Sequence, residues 1–363
     1  MSLKRLTSLD VFRGITVAFM VLVNSPGNKS SYDLLSHSQW NGCTIADLVF
    51  PLFIFIVGIS SVYSISNAQE KYSKSVIVSS IIKRSIFLFI IGLLLNAFPY
   101  HFDFATIRIY GVLQRISICY LLGSILFLTT RIRTQVIITL LLLIGYAAIM
   151  LRFPLTPDDN FAAMMDRQVF SPSHLYGKTN DPEGLLSTIP ALATVLLGNI
   201  TGAWLLSSIS KSQKLIGMSV AGIILCLLGL LSHQWFPINK ALWSSSYVLW
   251  STGVAAIGFS FFYWIIEIKA LKKPFKWFEI LGLNALLIYV LHIVFLKIQA
   301  MFSMRLNDGS IGSLRIYITE HLFPWVSENN ASLLYALSYT ILWIVLINVF
   351  NQKNHSSLRV DSK

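Results

Sequence analysis

The chain has 363 residues, of which 55% are apolar and only 12% charged, with a formal net charge of +12. Its mean hydropathy is +0.67. These values exclude an ordinary soluble domain, whose charged fraction is about 25%, and point to an all-α polytopic membrane helix bundle.

Apolar windows of about 17–25 residues, long enough to cross roughly 30 Å of hydrocarbon, predict ten spans. They fall at 8–24, 44–66, 81–99, 109–129, 135–151, 186–207, 214–232, 243–267, 277–300 and 332–350. Lys4 and Arg5 before the first span imitate a secretory signal, but Asp10 and Arg13 interrupt the apolar run and no small-residue cleavage site follows. The first helix is therefore expected to stay. At 100° and 1.5 Å per residue, Arg13 and Asn24 come within about 20° of one another and lie ~16 Å apart along the axis. One face thus shows a cation near one end and an amide near the other, a spacing that suits an elongated anionic ligand. Asp10 and Arg13 equally suit a plain i,i+3 ion pair.

His37, Trp40 and Asn41 follow in the loop before the second span. Histidine exchanges a proton near neutral pH, as transfer to an amine or hydroxyl requires, although an isolated loop histidine is more often inert. Trp40 suits an interfacial belt or a sugar-stacking platform. Asp47 precedes Pro51, whose missing N–H frees the carbonyl four residues back, so a carboxylate beside an unpaired carbonyl suggests a lined cavity.

Gln114 and Arg115 interrupt the fourth span, and a buried Arg115 requires an anion, a partner such as Asp47, or a vestibule. The 152–185 segment is rich in turn formers and ends in Asp181-Pro182-Glu183-Gly184. Its carboxylates suit either a grip on a cationic sugar or a turn and N-cap. Ser244 and Tyr247 open the eighth span, and Asn284, Tyr289, His292 and Lys297 mark the ninth. Interhelical hydrogen bonding accounts for the Ser, Asn and Tyr residues without a ligand. No soluble domain remains; the longest other segment is 301–331, and residues 1–363 are read as one transmembrane domain.

With a cytoplasmic N-terminus, seventeen Lys and Arg fall on the inner side, from Lys4, Arg5, Lys71 and Lys74 to Lys353, Arg359 and Lys363. Eight fall outside: Lys29, Arg108, Arg152, Arg167, Lys178, Lys240, Arg305 and Arg315. This positive-inside bias predicts an even number of spans with both termini cytoplasmic, and it accounts for the basicity without nucleic acid as a partner. Cys43, Cys119 and Cys226 are too scattered for a disulfide framework or zinc spacing, and no metal is expected.

Six strings in order, SLDVFRG, SHSQWNGCTIADLVFPLFIFIVG, RIYGVLQRISICYLL, DPEGLLSTIPALATVLLG, FPINKALWSSSYVL and WFEILGLNALLIYVLH, resemble the blocks of the transmembrane acyltransferases typified by lysosomal heparan-alpha-glucosaminide N-acetyltransferase and its bacterial relatives. The resemblance covers nearly the whole chain. It implies an acetyltransferase that takes acetyl-CoA from the cytosol and acetylates an amino sugar or glycan on the far side of a bacterial inner membrane, as a possible homodimer. The family's active histidine falls on His37 and its asparagine on Asn24, with both expected on the periplasmic side.

The expected mechanism has His37 as acid/base, Asn24 as donor to the thioester carbonyl, and Asp47 orienting the histidine or the acceptor. Asp10, Arg13, Arg115, Ser244, Tyr247, Asn284 and His292 are assigned to acetyl-CoA. Trp40, Asn41, Asp181 and Glu183 are assigned to the acceptor. The rival is a secondary transporter of an anionic or sugar-like solute, with its polar groups on broken helices at the midplane; a noncatalytic membrane scaffold is a third reading.

Overall fold

The computed structural model describes residues 5–99 and 102–360, with side chains as far as Gln352. Lys4 and Lys363 lie outside the described residues, as do the side chains of Lys353 and Arg359. In chain order the helices are α1 (Thr7–Asn24), α2 (Ile45–Gln69), α3 (Lys74–Ala97), α4 (Val112–Thr129), α5 (Ile132–Met150), α6 (Phe161–Phe170), α7 (Thr188–Leu206), α8 (Lys211–Ser232), α9 (Ser245–Tyr263), α10 (Lys276–Leu283) and α11 (Ala285–Met301). A two-stranded hairpin, β1 (Ser303–Arg305) and β2 (Ile311–Ser313), pairs Met304 with Gly312 and leads to α12 (Leu314–Leu322) and α13 (Glu328–Val360).

Among the described residues nine helices are long and apolar enough to cross a membrane, and the ninth expected span makes a tenth if its two halves count as one. That span is broken: its halves meet at 71°. The break falls on Asn284, whose side chain donates to the Ile280 carbonyl at 2.9 Å and so replaces a backbone bond at the helix end. The chain is an all-α polytopic bundle.

Two compact units divide the chain. The larger contains Ser38–Cys43 and Phe50–Trp264. Within it α7 packs on α4, α5, α8 and α9, while α3 packs on α4 and α8 on α9. Burial ranks these helices: 61% of the apolar window of α7 is buried, against 17% for α8, so α7 is core and α8 presents its apolar surface to lipid. Small residues set the closest approach: a Cβ on Gly58 would meet the Val195 carbonyl, and one on Gly198 the Phe55 carbonyl.

The smaller unit contains Leu6–His37, Thr44–Val49 and Ile265–Lys363. Here α1 packs against α10, α11 and α13. Gly14 and Gly282 leave no room for a side chain at the α1–α10 crossing, where an added Cβ would strike the Phe278 and Asp10 carbonyls. The turn after α1 is tied down from two sides, because Gly27 N–H donates to Ser332 Oγ at 3.0 Å and the Gly27 carbonyl accepts from Thr319 Oγ1 at 3.0 Å. These bonds fix the loop that carries His37.

Candidate active site

The smaller unit joins His37 to Asp47. Thr44 precedes the first residue of α2, which places Asp47 in its first turn, and Asp47 Oδ2 accepts the Thr44 N–H at 3.1 Å. This is the acidic half of a capping box, favoured where a helix leaves its N–H groups unpaired. The Thr44 hydroxyl reaches the Ser36 carbonyl at 2.7 Å and Asp47 Oδ2 at 3.1 Å, linking the end of the loop to the start of the helix. The other carboxylate oxygen, Oδ1, lies 2.9 Å from His37 Nδ1. A carboxylate only accepts, so Nδ1 carries the proton and Nε2 of the neutral ring carries the lone pair. The Asp47 side chain is 1% exposed and that of His37 51%. A buried anion thus orients an accessible base, the relation between carboxylate and imidazole that general-base catalysis uses.

His37 also lines a cavity of about 240 Å³. Its walls come from the end of α1 (Leu22, Val23 and the adjoining Pro26), from the loop, and from the first turns of α13. Asn24 ends α1 with an exposed side chain. It is not among the residues lining this cavity. On the opposite end of α1, Arg13 Nη1 donates to Asp10 Oδ1 at 3.0 Å and approaches the Gly282 carbonyl at 3.4 Å. The i,i+3 pair weighed from sequence is therefore present, with the guanidinium turned to the helix break. Asn284 forms that break. His292 is fully buried on α11: Nδ1 donates to the Ile288 carbonyl at 2.9 Å, and Nε2 has no hydrogen-bond partner among the described residues.

In the larger unit, Asp181 and Glu183 meet Arg108, a cation of the loop before α4. Arg108 grips Asp181 through Nε at 2.9 Å and Nη2 at 2.5 Å, and reaches Glu183 Oε2 at 2.6 Å. Its guanidinium also lies over the Tyr176 ring at 4.7 Å. Burial would push Glu183 up, but Arg108 and Arg115 outweigh it and hold the carboxyl below its ordinary range. For Arg108 burial pulls downward, and the two carboxylates more than offset it, raising its pKa. DPEG is also a turn: Gly184 N–H donates to the Asp181 carbonyl at 2.9 Å. The turn alternative for this motif is present, and its two carboxylates are engaged by Arg108 of the protein itself.

Arg115 is fully buried on α4. Its Nη2 donates to the Gly184 carbonyl at 3.2 Å and to Ser187 Oγ, and its guanidinium lies over Trp243 at 4.8 Å, while Nε and Nη1 have no partner among the described residues. Asp166 on α6 accepts the Leu185 N–H at 2.8 Å, and burial pushes its carboxyl up to about 6. Trp40 donates to the Leu155 carbonyl at 2.8 Å and packs on the Tyr146–Phe236–Leu242 cluster. Asn41 accepts from Asn239 at 3.2 Å. Ser244 caps α9, its hydroxyl accepting the Tyr247 N–H at 3.3 Å, and the Tyr247 ring packs edge-on to Trp243 at 5.3 Å, as Phe50 does at 5.1 Å. Among the described residues no three His, Cys, Asp or Glu side chains form a group that could hold a metal ion.

Thr44, Arg108 and the α13 face of the cavity were missed from sequence. The acidic Asp181-Pro182-Glu183 against a lone arginine in a short loop was the one usable sign, for Arg108. Comparison with known proteins adds the family. The human heparan-alpha-glucosaminide N-acetyltransferase is 30% identical over 415 aligned positions, covering 96% of this chain and 59% of the human protein. The mouse protein of the same name is 29% identical over 356 positions, covering 80% of this chain and 54% of its own length. The chain thus spans less than two thirds of either relative. The family model described as heparan-alpha-glucosaminide N-acetyltransferase, catalytic, matches residues 5–236, a stretch that includes both His37 and Asp47, and the chain belongs to that family.

Proposed function

We propose that the protein is a membrane-embedded acetyltransferase that moves an acetyl group from cytosolic acetyl-CoA to an amino sugar or glycan on the periplasmic side of a bacterial inner membrane. The observation that carries this reading is the 2.9 Å contact between an accessible His37 imidazole and a buried Asp47. In the proposed step His37 Nε2 takes a proton from the acceptor ammonium. The freed amine attacks the thioester carbonyl carbon, the C–S bond breaks, and coenzyme A leaves as a thiolate. The second proton lost from nitrogen goes to that sulfur, so one acetyl amide, one thiol and one proton result. Asp47 holds the ring and stabilises the imidazolium. Asn24, one helix end away in sequence, is assigned to the thioester oxygen.

Arg13, with Asp10, is assigned to the coenzyme's phosphates at the opposite end of α1, a role suited to a bidentate cation. Arg115, Ser244, Tyr247, Asn284 and His292 remain proposed neighbours of the acetyl-CoA path, and Trp40, Asn41, Asp181 and Glu183 of the acceptor. The engagement of Asp181 and Glu183 by Arg108 makes them supports of that region, acting on the acceptor only indirectly. A homodimer is retained as the expected assembly.

Mass-spectrometric detection of an acetyl group gained by glucosamine, with purified protein in detergent and acetyl-CoA as donor, tests the reading. Dependence on His37 is the decisive control: a His37→Ala protein that transfers at the full rate sinks the assignment. One observation favours the transporter alternative, the 71° break at Asn284, because discontinuous spans are where transporters bind solutes. Uptake of labelled glucosamine by proteoliposomes, with no acetylation, would select it.

A further inference from the structure

The turn that leads into α10 gathers four lysines, Lys269, Lys272, Lys273 and Lys276, and no acid lies between Ile268 and Phe278. All four are exposed, as are Leu271 at 56% and Trp277 at 50%. Lys272, Lys273 and Lys276 take no part in the ion pairs among the described residues. The backbone displays them in a fixed shape. Ala270 sits at φ 59°, a left-handed conformation uncommon for a residue with a Cβ. The turn closes through Leu271 N–H to the Ile265 carbonyl and Lys272 N–H to the Ala270 carbonyl, each at 3.1 Å. Glu267, the nearest acid before the turn, is engaged by the start of α1, its Oε1 accepting the Ser8 N–H at 3.0 Å. On the other side the Trp277 carbonyl accepts from Asn348 Nδ2 of α13 at 3.4 Å.

The positive-inside bias accounts for basic residues in a turn of this kind, but it does not account for their company. Lys71 and Lys74 adjoin Glu70, and Arg131 and Arg133 have no aromatic residue in the segment 130–135. The 269–277 turn joins an acid-free cluster to an exposed tryptophan and an exposed leucine. Like charges held close together repel, so an anion placed among them is favoured. A small soluble anion has no use for the apolar pair. At a membrane surface, by contrast, the indole sits at headgroup level and the leucine reaches the acyl boundary, which removes both from water. Past the break at Asn284, α11 exposes Leu287, Leu291 and Phe295, spaced by four and therefore on one face, a stripe that suits an acyl chain.

We propose that the 269–277 turn is a binding site for an anionic glycerophospholipid of the leaflet it faces. Lys272, Lys273 and Lys276 receive the headgroup phosphate through charge-assisted hydrogen bonds, and Lys269 adds to the field. Trp277 and Leu271 set the depth, and an acyl chain follows the exposed stripe of α11. Because Glu267 ties the turn to α1 and Asn348 ties it to α13, a bound lipid fastens α10 between those two helices. The site lies at the start of α1, the end opposite the His37 loop, and requires no acetyl transfer.

Native mass spectrometry of the full chain in detergent, titrated with dioleoyl phosphatidylglycerol or dioleoyl phosphatidylcholine and without acetyl-CoA, tests this. The wild type is expected to hold phosphatidylglycerol at least about fivefold more tightly than the zwitterionic lipid. The triple variant Lys272→Gln, Lys273→Gln, Lys276→Gln should weaken phosphatidylglycerol by at least about fivefold and leave phosphatidylcholine unchanged, and Trp277→Ala should weaken phosphatidylglycerol by roughly two- to fivefold. A control triple variant, Lys74→Gln, Arg131→Gln, Arg133→Gln, removes the same charge from other turns and should change either lipid less than about twofold. All six substituted cations are exposed, so both triple variants should keep the wild-type thermal midpoint in lipid-free detergent. Phosphatidylglycerol retained equally by the lysine variant overturns the proposal. An equal loss in the control also overturns it, because binding would then follow net charge and not this turn. Displacement of the lipid by millimolar inorganic phosphate at constant ionic strength would assign the lysines to a soluble anion and overturn it as well. With no acetyl donor in the assay, each of these outcomes leaves the acetyltransferase reading where it stood.

Discussion

Asp47 and the Asp181–Glu183 pair are buried carboxylates of the same chain that meet their cations in different ways. Asp47 faces a 51%-exposed imidazole, a side chain that can either hold or release a proton. Asp181 and Glu183 face Arg108, a guanidinium that stays charged at any working pH, held by three nitrogen–oxygen contacts of 2.5–2.9 Å. In the first pair the proton can leave, and an open cavity waits beside it. In the second the Nε and Nη2 donors of the guanidinium are spent on the two carboxylates. A carboxylate–cation contact is therefore chemical or architectural according to whether the cation titrates and whether one side of it faces open space.

The largest effect that would sharpen this contrast is on rate. His37→Ala should lower acetyl transfer by about 10²–10⁴-fold, the usual contribution of a positioned acid/base, and leave the thermal midpoint in detergent almost unmoved, because half of the ring is exposed. Asp47→Asn should keep the loop in place and still slow the reaction, since an amide cannot stabilise the imidazolium. Equal activity in Asp47→Asn would reduce Asp47 to a helix cap.

Arg108→Met should behave in the opposite way. It strands two buried carboxylates, and breaking such a pair from one side costs about 3–5 kcal/mol, read as a lower unfolding midpoint in denaturant and a poor yield of folded protein. Binding of methyl glucosaminide by the surviving fraction should be near normal. If Arg108→Met instead abolishes turnover with stability intact, the architectural assignment is wrong.

Asp166 supplies a pH test of the same region. Its folded pKa of about 6 lies above the ordinary value of 3.8, so the folded state holds a proton that the unfolded chain releases. The group's contribution is fully present below about pH 4, declines as pH rises through 6, and is constant above. Asp166→Asn, which preserves the acceptor for the Leu185 N–H, should therefore raise the unfolding midpoint at pH 8 by an amount worth about 1–3 kcal/mol, with a much smaller change at pH 4. A midpoint difference that is flat between those pH values would show that Asp166 does not titrate in the folded protein.

Much of the architecture was legible in the sequence because hydrocarbon imposes one simple length rule, and spans such as 8–24 and 186–207 fall within two residues of α1 and α7. The break in 277–300 was hidden. No proline or charge marks Asn284, and the apolar run continues through it, so periodicity alone gives one helix. Helix α13 also begins at Glu328, before the apolar window that starts at 332, since hydropathy reports the buried part of a helix and misses its polar first turn. His37 and Asp47 were each legible as candidates, His37 with help from family resemblance, and ten residues of separation on either side of a helix start made their pairing plausible. The cavity was not legible, because Tyr32 and Asn329, which line it, are almost three hundred positions apart and neither carries a distinctive local pattern.

The smallest effect concerns what holds the reactive pair in place. Thr44 contributes a backbone N–H to Asp47 and a hydroxyl to both the Ser36 carbonyl and Asp47 Oδ2. Thr44→Val keeps the shape and the N–H but removes the hydroxyl, at a stability cost of about 1 kcal/mol, typical of a lost cap or a single hydrogen bond. The loop would then be joined to α2 by the His37–Asp47 contact itself, and thermal motion of Ser36 would spread the distribution of imidazole positions. A positioning role predicts a kcat lowered a few-fold with acetyl-CoA KM unchanged, and recovery in Thr44→Ser, which restores the hydroxyl without the methyl group. A simple cap predicts lost stability with kcat intact. The serine variant separates the two, because only the orienting bond, and not the packing of the methyl, should bring the rate back.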